Sequence, residues 1–247
     1  MGMSFGLSED HILLRDAVRK FAEDEIKPVA QQLDRDETFS VDLTRKMGEM
    51  GLFGMIVPEA YGGQGMDMLA YVIAMEELAR VDGSQAATVT AHNSIGIGPI
   101  LYFGTEEQKQ TLLPPMCTGE MTWGFGLTEP NAGSDSRGTQ TTARKSGDKW
   151  VINGSKIFIT NVANELAGGL TVQAKTGERD DGTPELTCFV VPKDAKGLSV
   201  KAMHGKLMWR ASDTAEVYFD NVEVPADSVL GQEGKGATQM LTALDAG

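Results

Sequence analysis

Basic residues are scarce in this sequence. Twenty-two Lys and Arg stand against 35 Asp and Glu, so the 247-residue chain carries a formal net charge of −13. That balance argues against nucleic acid and anionic membrane surfaces as main partners, because both are bound through a basic footprint. Cysteine is scarcer still. Cys117 and Cys188 are the only two, too few for a disulfide framework, and a reducing cytoplasm is the expected compartment. No run of about 18 apolar residues occurs, and no signal-peptide pattern precedes Ser8, so the chain reads as soluble, neither inserted in a membrane nor secreted. Internal repeats and low-complexity tracts are also missing. What is present is an ordinary globular composition, 41% hydrophobic and 23% charged, with length enough for one large domain or two ordinary ones.

The first half reads as helices. Leu14, Ala17, Val18 and Phe21 recur at helical spacing behind Ser8, a good N-cap with Glu9 and Asp10 in the first turn. Pro28 is expected to limit that helix. Ser40 and Asp42 open a second helix, and Met47, Met50 and Met55 read as core. After the glycine-rich Tyr61–Gly65 loop, Asp67 caps a third helix over 68–80. Residues 84–100 are small and apolar, as in a helix buried on most sides, although Gly96, Gly98 and Pro99 blur its end. Thr105 and Gln108 form a capping-box pair for a short helix ending before Pro114-Pro115.

Beyond Cys117 the period changes. Strand-like runs cover 121–127, 139–144, 150–152, 156–160, 170–174, 186–191, 198–202 and 215–219, separated by Gly, Asp, Asn and Pro. Ser146-Gly147-Asp148 reads as a hairpin turn, and Asp180-Asp181 as a solvated hairpin tip. From 235 the pattern turns helical again. The fold class expected is α+β and multidomain: an all-α domain over 1–119, a β-barrel or β-sandwich domain over 120–233, and the start of a C-terminal helical bundle over 234–247.

One stretch stands out chemically: Phe125-Gly126-Leu127-Thr128-Glu129-Pro130-Asn131-Ala132-Gly133-Ser134-Asp135. A strand ends at Leu127, Thr128 and Ser134 supply hydroxyls, and Gly133 permits close backbone approach. Loop N–H groups of this kind can face an anion or the edge of a heteroaromatic ring. On residue types alone, an ordinary turn with Asx and Ser/Thr hydrogen bonds is the simpler reading.

The same stretch resembles the Thr-Glu-Pro-x-Ala-Gly-Ser-Asp signature of the acyl-CoA dehydrogenase flavoproteins. Further motifs of that family follow in order. They are Pro58–Gly63 and Phe103–Lys109 in the helical part, then Trp150–Asn161, Trp209–Glu216 and Phe219–Pro225. The resemblance implies FAD as cofactor, an acyl-CoA substrate and α,β-dehydrogenation to the trans-2-enoyl-CoA. It also implies an electron-transfer flavoprotein as acceptor and a homotetramer when full length. It places the backbones of Phe125 and Leu127, and the backbone and hydroxyl of Thr128, along the pyrimidine edge of the flavin. Ser134 would reach the FAD pyrophosphate or the adjacent acyl-CoA. Phe158, where many relatives carry Trp, and Thr160 would lie along the other side, Thr160 near N5. Thr88, Val89, Ala91 and Asn93 fall where relatives line the acyl pocket. His92 there is expected to be a wall residue rather than a base, and Arg210 and Asp213 are expected to form a structural polar pair. Val162 and Met208 stand where relatives commonly have Gly, and residues 164–169 depart from the usual strand entry.

Family chemistry needs a glutamate base. In most relatives it lies far into a C-terminal helical domain, and in a minority just after a Leu-Asp pair. Here that second position is Gly247, so no catalytic residue is assigned. No metal ligand set is assigned either. The 247 residues correspond to about two-thirds of a three-domain enzyme, and a fragment is the expected explanation. The alternatives are a non-catalytic FAD- and acyl-CoA-binding half of a split enzyme, an assembly subunit, or an acyl-CoA oxidase.

Overall fold

A computed structural model describes residues 6–245 of the chain. Gly247, the position considered for a base, lies outside them. The helical half comprises α1 (Glu9–Phe21), α2 (Lys27–Asp36), α3 (Val41–Glu49), α4 (Met68–Ala79), α5 (Gly83–Ala91), α6 (Ile97–Phe103) and α7 (Glu106–Cys117). Ser8, Ser40, Asp67 and Thr105 each accept from a backbone N–H of the first turn, as expected of such caps. Thr105 and Gln108 complete the capping box.

Three prolines act differently from expectation. Pro28 does not limit the first helix. A π-helical segment, Ala22–Ile26, precedes it, so Pro28 falls in the first turn of α2, where a missing N–H is tolerated, and the helical path runs on to Asp36. Glu37, in the left-handed region (φ 52°), ends it. Nor does α7 stop before Pro114-Pro115. It carries both and ends at Cys117, because Leu113, Met116 and Cys117 are buried and hold the last turn against the core. The blurred end near Gly96 is a second π segment, His92–Gly96, that joins α5 to α6. A Cβ on Gly96 would lie 2.8 Å from the Trp123 carbonyl oxygen, so glycine lets this segment touch the sheet.

The second half is a mixed sheet. Its strands are β1 (Thr122–Gly126), β2 (Thr142–Ser146), β3 (Lys149–Thr160), β4 (Ala167–Glu178), β5 (Pro184–Pro192), β6 (Leu198–Ala202), β7 (Thr214–Pro225) and β8 (Val229–Leu230). The strand order is β6-β7-β3-β2-β4-β5-β8, with β1 parallel to β4. The runs 150–152 and 156–160, read apart in the sequence, are one bent strand, β3. It joins β2 through Gly147 at φ +63°. Side chains from β2, β3, β4, β5 and β7 meet in one core, where Trp150 and Phe189 pack edge to face at 5.2 Å. The sheet therefore curls around its own interior. The outer face of β5 is buried too. Cys188 and Val190 pack with β1, α6, α7 and α8 (Gly236–Asp245), which explains the unbroken apolar run of β5. A third core, with Val18, Met47, Met55, Leu78 and Val89, belongs to the N-terminal half alone.

Candidate functional site

The site grows from a defect in β3. Regular alternation puts Trp150, Ile152 and Lys156 on the buried face and would bury Phe158 next. Instead the pairing with β7 slips between Lys156 and Ile159. Ile159 turns inward, and Phe158 turns out, 61% exposed. Its φ of 61° is a left-handed conformation that costs a bulky side chain about 1–3 kcal/mol. Such strain persists only where the surroundings impose it.

The surroundings are an ion pair. Lys156 and Glu129 are almost wholly buried, with Nζ 2.7 Å from Oε1. Lys156 also donates to the Leu127 carbonyl at 3.1 Å. Glu129 accepts from the backbone N–H groups of Gln140 (2.7 Å) and Thr141 (3.0 Å). Burial alone would push the Glu129 carboxyl up, but the Lys156 charge and these hydrogen bonds outweigh it and hold the group below the usual carboxylate range. Next door, the Ile157 N–H donates to the Thr128 carbonyl at 2.9 Å, so the β3 bulge is tied to the end of β1.

The Ile157–Thr128 bond thus links the Phe158–Thr160 end of β3 to the loop that begins at Thr128 and carries Ser134. Thr128 and Thr160 are half-buried and Ser134 is exposed. Among the described residues none of these three hydroxyls has an intramolecular partner. Nothing lies within 4 Å of a Cβ placed on Gly133, whose φ is ordinary, so no protein neighbour demands glycine there. Phe125 and Leu127 contribute no side chains. Both are packed in the core beside Trp123 and Met240. Leu127 spends its N–H on the Phe125 carbonyl and its own carbonyl on Lys156. The Thr128 hydroxyl is therefore the unpartnered side-chain group at this edge.

Beside Ser134 opens a groove of about 660 Å3, lined by Asp135, Arg137, Lys175, Arg179, Thr183 and, from α8, Thr238. Three cations on one groove are notable in so acidic a chain. Gln173 bonds the Ser136 carbonyl and the Thr139 hydroxyl, both at 2.8 Å, and so fixes the loop that walls it.

The helix-side residues are placed differently. Val89 is fully buried in the helical core. The Thr88 hydroxyl donates to the Ser84 carbonyl at 3.1 Å, inside the protein. Asn93 is entirely engaged, with Met55 N–H, the Leu52 carbonyl and the Val89 carbonyl. Ala91 alone of the proposed lining is half-buried. Two links join Thr88 to the β side: Asn161, following Thr160, donates to the Thr88 carbonyl at 3.0 Å, and the Thr88 hydroxyl lies 3.4 Å from that of Ser212. His92 is fully buried, with Nε2 3.0 Å from the Met116 carbonyl. Burial lowers its pKa to about 4, which leaves a neutral ring.

Arg210 and Asp213 do not pair. Arg210 reaches across to the end of α2, to Glu37 at 2.8 Å and the Asp34 carbonyl at 3.0 Å. Asp213 instead accepts from the Ala163 and Asn164 N–H groups and the Asn164 side chain. Asn164, which opens the 164–169 segment, thus serves this carboxylate. Val162, in place of glycine, fills the space over Gly124, where a Cβ would meet it at 2.2 Å.

Glu129 and Lys156 lie inside two of the motifs but have no role among the expected site residues. The signal was there: a lysine in phase with Trp150 and Ile152 on a buried face requires a counter-charge.

Comparison with known proteins identifies the family of the chain. Residues 8–120 match the acyl-CoA dehydrogenase N-terminal domain, and 124–222 the middle domain. A probable acyl-CoA dehydrogenase of Bacillus subtilis, YngJ, is 44% identical over 99% of this chain and 64% of its own length. The short-chain specific acyl-CoA dehydrogenase of Clostridium acetobutylicum is 43% identical with the same coverage. A glutaryl-CoA dehydrogenase from Mycobacterium smegmatis, solved in complex with FADH2, superposes with a TM-score of 0.89 at 34% identity. That superposition covers 97% of this chain and 60% of the other. The chain thus spans 58–64% of the length of the curated relatives it matches, and it belongs to the acyl-CoA dehydrogenase family.

Proposed function

We propose that this chain forms the FAD- and acyl-CoA-binding part of an acyl-CoA dehydrogenase, carrying out α,β-dehydrogenation and passing electrons to an electron-transfer flavoprotein. The observation that carries the reading is a set of unpartnered hydroxyls, on Thr128, Ser134 and Thr160, together with an exposed, left-handed Phe158 whose strand is bonded to Thr128 through Ile157. Neutral N–H and O–H donors beside a flat apolar ring suit a flavin, whose pyrimidine edge offers carbonyl and ring-nitrogen acceptors. They do not suit a metal, and no cluster of metal-ligand type occurs among the described residues.

When bound, FAD supplies the hydride acceptor. The chain's residues do the rest. Thr128 would donate to the pyrimidine edge and Thr160 near N5, which favours the negative charge of the reduced ring. Phe158 covers the ring and excludes water. Ser134 precedes Asp135 in the wall of the cationic groove, where Arg137, Lys175 and Arg179 would meet the phosphates of a CoA thioester.

None of the buried carboxylates among the described residues is assigned the removal of the substrate proton. The buried carboxylates among the described residues are committed: Glu77 to Arg19 and Arg80, Glu129 to Lys156, and Asp213 to Asn164. A tetramer and a cytoplasmic setting go with this reading. No helix among the described residues is long and apolar enough to cross a membrane.

The test is a titration of the purified chain with FAD, followed by butyryl-CoA. Development of a bound-flavin absorbance spectrum, perturbed by butyryl-CoA, is expected. A flavin spectrum that stays that of free FAD at every concentration would remove the proposal.

A further inference from the structure

We propose that the buried Glu129–Lys156 ion pair is a positioning device that fixes the distance between the two edges of the flavin cradle, Leu127–Thr128 on one side and Ile157–Thr160 on the other. The proposal rests on the flavin-binding reading above.

The two side chains gather three segments. The Lys156 ammonium, carried by β3, holds the carboxylate of Glu129 and the carbonyl of Leu127 at the exit of β1. The carboxylate also holds the N–H groups of Gln140 and Thr141 on the approach to β2. Thr141 in turn donates its hydroxyl to the Ser155 carbonyl at 3.2 Å, closing the ring of contacts back onto β3. Each presented group is close in sequence to the pair. Thr128 adjoins Glu129, and Phe158 is two residues past Lys156. The bulge that turns Phe158 outward begins at Lys156 and is tied to Thr128 through the Ile157 N–H.

An ion pair is an unexpected choice for this place. The side chains are 0% and 3% exposed, so solubility is not served. Well-packed apolar residues of similar volume commonly stabilise a fold as well as a buried pair does. Hydrocarbon could fill the volume, but it could not hold one carbonyl and two amides at set distances. A cofactor gripped by groups carried on two strands needs that spacing held to about half an ångström. The charges are therefore spent on geometry rather than on cohesion.

The experiment compares the wild-type chain with the apolar double variant E129L/K156M. Three quantities are read: thermal unfolding, amide hydrogen exchange of the free protein by NMR, and FAD affinity. The double variant is expected to unfold cooperatively. Exchange at Ile157, Gln140 and Thr141 should quicken by about tenfold or more, with Val172 and Phe189 in β4 and β5 unchanged. FAD should bind about tenfold more weakly. A pair serving cohesion alone would move unfolding and leave affinity where it was. Unchanged exchange at those three amides overturns the proposal, as does faster exchange with undiminished FAD affinity. Should the double variant not fold, K156R takes its place. Its broader guanidinium cannot reproduce both short contacts, and the same exchange and affinity results decide. Wild-type chain that binds no FAD defeats the flavin reading itself. Wild-type that binds while the variant binds equally defeats only the positioning role.

Discussion

The β side and the helix side of the expected binding cleft are built on opposite plans. On the β side, Thr128, Ser134, Phe158 and Thr160 are presented to solvent with hydroxyls unspent and one backbone strained. Their supports, Glu129 and Lys156, lie behind them, buried. On the helix side, Thr88, Val89, Asn93 and His92 are themselves interior, and the polar ones bond to neighbouring backbone. The difference separates two kinds of motif residue. Some face a ligand, and others hold the wall that faces it. Neighbouring positions in one motif can fall on either side of that division, as Thr128 and Glu129 do.

The largest expected effect tests the support. K156M alone strands the Glu129 carboxylate in the interior and should cost about 3–5 kcal/mol of stability, measured by urea unfolding at pH 7. A loss near zero would put both residues among the exposed ones and erase the contrast.

His92 sharpens the helix side through pH. Its folded pKa is lowered to about 4 by burial, against an ordinary value of 6.5. The unfolded chain therefore binds more protons between those values. The stability contributed by the neutral ring is complete above pH 6.5 and lost as pH falls towards 4. Two and a half units correspond to roughly 3 kcal/mol. Unfolding midpoints measured across this window should fall steeply for wild type and less steeply for H92Q. Equal slopes would mean that His92 reaches water.

Val89→Ala should cost about 2 kcal/mol through lost burial and a cavity, with little change in FAD affinity. A large change in affinity with no change in stability would make Val89 a pocket residue after all. The smallest effect has the opposite sign. Phe158→Gly relieves the left-handed backbone and should leave stability unchanged or raised by up to about 1 kcal/mol. The same change should weaken FAD binding. Destabilisation by this variant would show Phe158 to be core.

Much of the fold was legible because its signals are local. N-caps at Ser8, Ser40, Asp67 and Thr105 depend on one side chain and the next turn, and each is present. The strands show their alternation, and the Gly147 turn its residue type. What stayed hidden depends on contacts far apart in sequence. The π segments that accommodate Pro28 and Gly96 follow from packing, not from the prolines and glycines themselves. Arg210 and Asp213, three residues apart, look like partners, but each finds a better one on another element. The bulge at Ile157-Phe158 breaks the very period by which a strand is read. At the site, Thr128, Ser134, Phe158 and Thr160 were named through resemblance. The Glu129–Lys156 pair, 27 residues apart, required the structure.

The central claim is that the flavin meets this chain at the Thr128–Ser134 loop and the Phe158–Thr160 bulge. Hydrogen-exchange mass spectrometry of the chain with and without saturating FAD tests it most directly. The account predicts new protection confined to peptides covering 125–135 and 156–161. Protection centred on residues 84–100 or elsewhere, with these two segments unchanged, would contradict it.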